Sequence, residues 1–138
     1  MDKIFNKTIE LARAMYPAEF GKNQCRCFHV SALFNKSRLL AVAENKQKTN
    51  PRNKFNLKSF DIGAKNTCSE MALFLRVKNK FDKLNWRKVV MVNCRIDQRG
   101  NIRNSKACPA CQNLIKYIGL KYLYHTTESG EFVRQIIY

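Results

Sequence analysis

The sequence predicts an α/β fold: a mixed five-stranded sheet between helices, three layers α-β-α, in the order α-β-β-α-β-α-β-β. Three observations predict it. Apolar residues at helical spacing open the chain. Residues 89–94, Val-Val-Met-Val-Asn-Cys, form an almost unbroken apolar run, the mark of a central strand buried on both faces. Short apolar or alternating runs joined by polar turns stand on either side of it as hairpins.

The first helix follows from Ile4, Ile9, Leu11, Ala12, Met15 and Tyr16, and Pro17 closes it, which places the helix over residues 3–16. Residues 27–34 are a strand-length apolar run, Asn35-Lys36-Ser37 a turn, and residues 39–43 a second strand. Thr67 is a good N-cap for a second helix, and Glu70 three residues on completes a capping box. Ala72, Leu73, Phe74, Leu75 and Val77 carry that helix into the core, and Lys78, Lys80 and Lys83 suit its negative end. Trp86 is placed to anchor it to the sheet. After the central strand, residues 97–101 turn. A third helix starts near Pro109, a residue tolerated in a first turn, and ends at Gly119. Residues 120–126 and 132–137 alternate about Glu128-Ser129-Gly130, a terminal hairpin.

The length, 138 residues, suits one domain, and no linker-like stretch or repeat divides it. Apolar residues at 45% are enough for a packed core. No run approaches a membrane span, and charged residues interrupt any signal-like start, so a soluble, intracellular, cytoplasmic protein is expected. In that compartment cysteines stay reduced, and a Cys-x-x-Cys reads as metal-binding or redox-active before it reads as a structural disulfide. The 26 Lys and Arg against 10 Asp and Glu give a formal charge of +16, which points to polyanionic partners. Residues 46–66 concentrate that charge in a long loop. Lys46, Lys48, Arg52, Lys54 and Lys58 alternate there with Phe55, Leu57 and Phe60, a mixture suited to phosphate contact and base stacking. The same aromatics would also serve to tack the loop onto the core.

Chemistry concentrates in two motifs, Cys68-Ser69-Glu70 and Cys108-Pro109-Ala110-Cys111. A Cys-x-x-Cys at a helix start sets two thiolates on one ion, and a third from another helix start leaves one tetrahedral position open, as catalytic zinc requires. Glu70 then stands beside the open position without binding the metal. Other readings are a structural zinc site completed by a fourth ligand, with Cys94 and Cys25 as candidates, a redox pair, or a Glu70 that only caps its helix. Cys94 follows an apolar run and is expected to be buried packing. His29 and His125 are read as packing or surface residues.

These motifs and the element order resemble the cytidine deaminase-like superfamily over nearly the whole chain. Cys68-Ser69-Glu70 is similar to its Cys/His-Ala-Glu element, and Cys108-Pro109-Ala110-Cys111 to its Pro-Cys-Gly-Ala-Cys element. The terminal hairpin resembles the cytidine deaminase branch. The resemblance implies Zn2+ held by Cys68, Cys108 and Cys111, with Glu70 as the proton-carrying catalytic residue. It implies substrate contacts at Asn45, where an Asn closing the first strand pair holds the sugar, and at Ser69 and Ala107. Two positions depart from the pattern: Ala107 stands where Pro is usual, and Met71 where Arg often follows the Glu. Three thiolates leave a divalent site with net negative charge, so a compensating cation is expected, and Lys65, Arg95, Arg103 and Lys106 are the candidates.

The activity so implied is a zinc-dependent hydrolytic deaminase converting cytosine to uracil. The charge favours single-stranded DNA or RNA as substrate. Free cytidine, deoxycytidine or a nucleotide is the alternative, as are a purine and a catalytically inactive zinc-stabilised nucleic-acid-binding domain. The oligomeric state is left open.

Overall fold

The computed structural model describes residues 1–16, 27–45, 68–78, 84–97 and 99–136. The stretch 46–66, and with it Lys46, Lys48, Arg52, Lys54, Phe55 and Lys58, lies outside the described residues, as do Cys25, Lys65, Thr67, Lys80 and Lys83. The elements are α1 (Asp2–Met15), β1 (Cys27–Asn35), β2 (Arg38–Glu44), α2 (Ser69–Val77), β3 (Val90–Asp97), β4 (Ile102–Arg103), α3 (Pro109–Ile118), β5 (Tyr122–Thr126) and β6 (Phe132–Arg134).

The sheet runs β2-β1-β3-β5-β6. Strand β1 is antiparallel to β2 and to β3, β3 is parallel to β5, and β5 is antiparallel to β6. These are the five strands expected, and β3 is central. The sixth, β4, is a two-residue strand that folds back on β3 at Arg95↔Arg103 and Ile96↔Ile102. A two-residue strand leaves no alternation to read in a sequence. The parallel pair β3/β5 needs a crossover, and α3 supplies it.

Alternation along β1 and β3 divides the core between two faces. Phe28, Val30, Cys94 and Ile96 pack with Ala12 of α1, and Ala32, Phe34 and Val92 pack with its Ile4. On the other face Leu33, Met91 and Leu123 meet Ala72, Leu73 and Val77 of α2 and Cys111 and Ile115 of α3. Helix α1 thus covers one side of the sheet and α2 with α3 the other, giving the three layers. Trp86 packs against the second cluster, with its ring centroid 6.1 Å from that of Phe74 in α2.

Helix α1 spans Asp2–Met15, one residue ahead of the expected 3–16 at each end, and α3 begins at Pro109 as expected. The α2 N-cap is Cys68, not Thr67, so Glu70 is the second helical residue and does not complete the expected capping box. Its carboxylate turns inward instead. Gly119 ends α3 at φ 81°, ψ 22°, a left-handed cap that glycine adopts without steric cost.

Candidate metal centre

Both cysteine motifs open helices. Cys68 is the N-cap of α2 and Cys108 the N-cap of α3, each with extended backbone. Cys111 lies in the first turn of α3, buried against the core. The three sulfurs lie within 4.8 Å of one another. Cys68 Sγ is 3.8 Å from Cys108 Sγ, far beyond a disulfide bond. Two sulfurs about 2.3 Å from one tetrahedral zinc stand about 3.8 Å apart, so this donor set fits the ion in spacing as in chemistry.

The loop that delivers Cys108 is pinned to the sheet. Ser105 Oγ donates to Asn93 O (2.9 Å) and accepts from Thr126 N (2.8 Å), and Ser105 N donates to Thr126 O (2.9 Å). Ala107 N donates to Gln135 Oε1 (3.0 Å), and Ala107 O accepts from Gln112 Nε2 (2.8 Å). Both polar backbone groups of Ala107 are therefore engaged within the protein. Asn45 closes the outer end of β1: its Oδ1 accepts from His29 N and its N–H donates to His29 O, each at 3.0 Å.

The thiols share their protons unequally. Hydrogen bonds from Cys111 and then Cys68 lower the Cys108 thiol, helped by the N–H groups of Cys111 and Ala110 at the helix start. Cys111 is pushed up by its hydrogen bond to Cys108, and Cys68 by the same partner. Each must be a thiolate to ligate, so a divalent ion that binds here displaces their protons.

Glu70 is 4% exposed, and burial raises its pKa. Its Oε1 accepts from Ser69 Oγ at 2.9 Å and from Ser31 Oγ at 3.3 Å. Ser31 Oγ also lies 2.8 Å from Ser69 Oγ and 2.7 Å from Asn93 Oδ1. A hydroxyl has one proton, so Ser31 donates to one of these acceptors at a time, and Ser69 donates either to Glu70 or to Ser31. Among the described residues, Asn93 Nδ2 has no hydrogen-bond partner. The buried carboxyl is held by the Ser69 and Ser31 hydroxyls and by a hydrogen bond from the Cys111 thiol.

Ser31, Asn93 and His29 had no expected role in the site. Their signal was present: Ser31 and Asn93 are the polar interruptions of two apolar strands, at positions facing α2 and α3. His29 is paired across the strands with Arg95. Burial and then Arg95 depress its pKa to about 4, while the nearby Cys108 acts in the opposite sense. Cys94 is fully buried on the α1 side of the sheet, away from the cluster, and is packing as expected. His125 is buried too, with Nδ1 2.9 Å from Thr126 O.

Of the compensating cations, Arg103 is committed to Asp97 (2.9 Å) and Glu128 (3.5 Å), and Lys106 is exposed. Met71 is buried with Leu75 and Leu114 between α2 and α3, where a guanidinium would have to displace apolar packing. Arg95 Nη1 donates to Asn104 O at 3.5 Å, and the N–H groups of Ala110 and Cys111 in α3 help lower Cys108.

No family model matches the sequence, and no curated protein matches it. Solved structures do. A cytidine deaminase from Mycobacterium leprae matches at 15% identity and TM-score 0.53, covering 96% of this chain and 91% of its own. The E47Q mutant of the Mycobacterium tuberculosis cytidine deaminase matches at 12% identity and TM-score 0.53, covering 99% and 89%. The M. tuberculosis enzyme without that substitution gives 12% and 0.52 over the same shares. The chain therefore has the cytidine deaminase-like fold, with a three-cysteine cluster capable of holding a metal ion. No helix among the described residues is long and apolar enough to cross a membrane.

Proposed function

We propose that the protein is a zinc-dependent hydrolytic deaminase that converts cytosine to uracil in single-stranded nucleic acid. The observation that carries the chemistry is the joining of three sulfurs within 4.8 Å to a buried carboxyl two residues beyond the first of them. Cys68, Cys108 and Cys111 would hold zinc, which when bound supplies a nucleophile from water near neutral pH. Glu70 carries the protons. Its carboxylate takes one from the attacking water, delivers it to the ring nitrogen, and then assists the departing ammonia. Ser31 and Ser69 hold Oε1 and fix the carboxyl beside the three sulfurs. The helix N-termini of α2 and α3 offset the negative charge of three thiolates.

The formal charge of +16 supports a polynucleotide over a free nucleoside, because phosphates recruit it. Deamination needs an unstacked base, hence a single strand. The basic stretch 46–66 belongs to the same reading, as does an intracellular setting, since thiols that bind zinc must stay reduced. Free cytidine is the second reading, favoured by the neighbours, which are cytidine deaminases.

The test is product mass spectrometry after incubation of the zinc-loaded protein with a single-stranded oligonucleotide, cytidine and deoxycytidylate, beside Glu70→Ala. Uracil in the oligonucleotide, absent with Glu70→Ala, is the expected result. Conversion of cytidine alone assigns the second reading. Oligonucleotide binding with no ammonia from any substrate makes the protein a zinc-stabilised binding domain.

A further inference from the structure

At the end of α3 remote from the cysteines lies an open cleft of about 480 Å³, lined by Arg87, Lys116, Gly119, Leu120, Lys121, Arg134 and Ile136. Four of these residues are cations and none is an acid. Each cation comes from a different part of the fold: the turn before β3, the last turn of α3, the approach to β5, and β6. Their convergence is a product of the tertiary structure, not of a charged run.

Two of the four are held in place without a counter-charge. Arg134 Nη2 donates to Lys121 O at 3.2 Å, and its guanidinium carbon lies 5.0 Å from the centroid of the Tyr122 ring. Lys121 Nζ is 5.4 Å from the same ring. A carbonyl and an aromatic face orient these groups but leave their charge unneutralised. Among the described residues, the ion pairs join Lys7 to Glu10 and Arg103 to Asp97 and Glu128, and none includes a cleft cation. Like charges gathered around a concave surface repel one another and focus an anion-attracting field.

The ten residues of α3 span about 15 Å, so the cleft is farther from Cys108 than a single nucleotide's own phosphate reaches. The outer face of α3 connects the two. Pro109, Asn113, Lys116 and Tyr117 recur there at helical spacing and are exposed, Tyr117 to 74%. An exposed phenol ring beside a lysine is a platform on which a base can stack.

We infer that this cleft binds the phosphate backbone of a single-stranded polynucleotide that runs along α3 and presents a base at the cysteine cluster, an inference that rests on the proposed deaminase function for the identity of the strand. Lys116, Lys121, Arg134 and Arg87 contact phosphates, and Tyr117 stacks a base between cleft and metal. The cleft confers no sequence preference, because it reads charge and a π-face.

The test is fluorescence anisotropy of a labelled mixed-sequence single-stranded oligonucleotide against the zinc-loaded full chain, titrated at several salt concentrations. The double variant Lys116→Gln/Lys121→Gln is compared with Lys3→Gln/Lys7→Gln, which removes the same charge from α1 on the opposite side of the sheet. The cleft pair should weaken binding roughly tenfold and reduce the slope of log K against log salt by about 1.4, two single-strand phosphate contacts. The α1 pair should change the slope by much less. Equal effects from the two pairs, an unchanged slope with the cleft pair, or stronger dependence of anionic vesicle binding than of oligonucleotide binding on the cleft would overturn the inference. Product mass spectrometry of the native chain, run beside the titration, separates it from the deaminase reading. Cleft-dependent binding retained by a protein that deaminates nothing upholds the cleft and rejects the chemistry. Cytidine deamination with cleft-independent oligonucleotide binding does the reverse.

Discussion

Cys68 Sγ stands 3.8 Å from Cys108 Sγ although 40 residues separate them in the chain. The approach is made by two helix N-termini converging on the same side of the sheet, with Cys111 completing the trio. A spacing that matches two ligands of one tetrahedral zinc makes metal binding the first measurable consequence. Atomic emission should find stoichiometric zinc in protein produced with zinc present, a large loss with Cys111→Ser, and no loss with Cys94→Ser, whose sulfur lies on the α1 side. Chelation should lower Tm of the native chain and leave that of Cys111→Ser nearly unmoved. Full zinc content in Cys111→Ser would refute the assignment.

Glu70 is expected to carry protons without ligating the metal. Glu70→Gln should therefore keep the zinc content and lower kcat on the deaminated substrate about a hundred- to ten-thousand-fold, the range for a positioned acid–base group. Steady-state kinetics beside metal analysis checks both halves. A variant that lost its zinc would make Glu70 part of the metal shell instead.

Ser31 reaches Ser69, Glu70 and Asn93 from the strand beneath them. Ser31→Ala deletes the shared hydroxyl and leaves its buried neighbours short of a partner, at a cost of about 1–3 kcal/mol in stability. Because Oε1 of Glu70 loses one of its donors, kcat should fall while KM holds. Denaturant unfolding and kinetics report the two effects separately. An unchanged kcat would confine Ser31 to a structural role.

Asp97 organises the turn from β3 to β4. Its Oδ1 accepts from the N–H groups of Arg99 and Asn101, each at 2.9 Å, and its Oδ2 from Arg103 Nε at 2.9 Å. The Arg103 hydrogen bond, followed by that from Asn101, lowers its pKa below the ordinary 3.8. A depressed carboxylate stabilises the fold above its unfolded value and loses that contribution as pH falls through its folded value. Asp97→Asn should thus melt below the native chain at neutral pH, with the gap closing below pH 3.8. A gap constant across that range, in thermal melts by circular dichroism, would contradict the account.

Much of the fold was readable from local pattern. Helix α3 showed both its limits, because Pro109 and Gly119 act through their own backbone restrictions. The central strand showed itself because burial on two faces demands apolar residues at every step. Helix α2 began one residue later than Thr67 suggested, since a capping motif in sequence does not reveal that the same glutamate is wanted in the interior. Strand β4 could not be read, because two residues carry no period and exist as a strand only through pairing with β3.

The sequence by itself determined the order of elements, the three thiols at two helix starts, and the excess of positive charge. Each is a property of neighbouring residues or of composition. The tertiary structure alone decided which distant side chains meet. The register of β1 on β3 brings Ser31 opposite Asn93 beneath Glu70 and sends Cys94 to the other face, and a one-residue slip would reverse both. The end of the β3–α3–β5 crossover gathers Arg87, Lys116, Lys121 and Arg134 around one cleft. Such convergence depends on how layers pack, and no local periodicity records it.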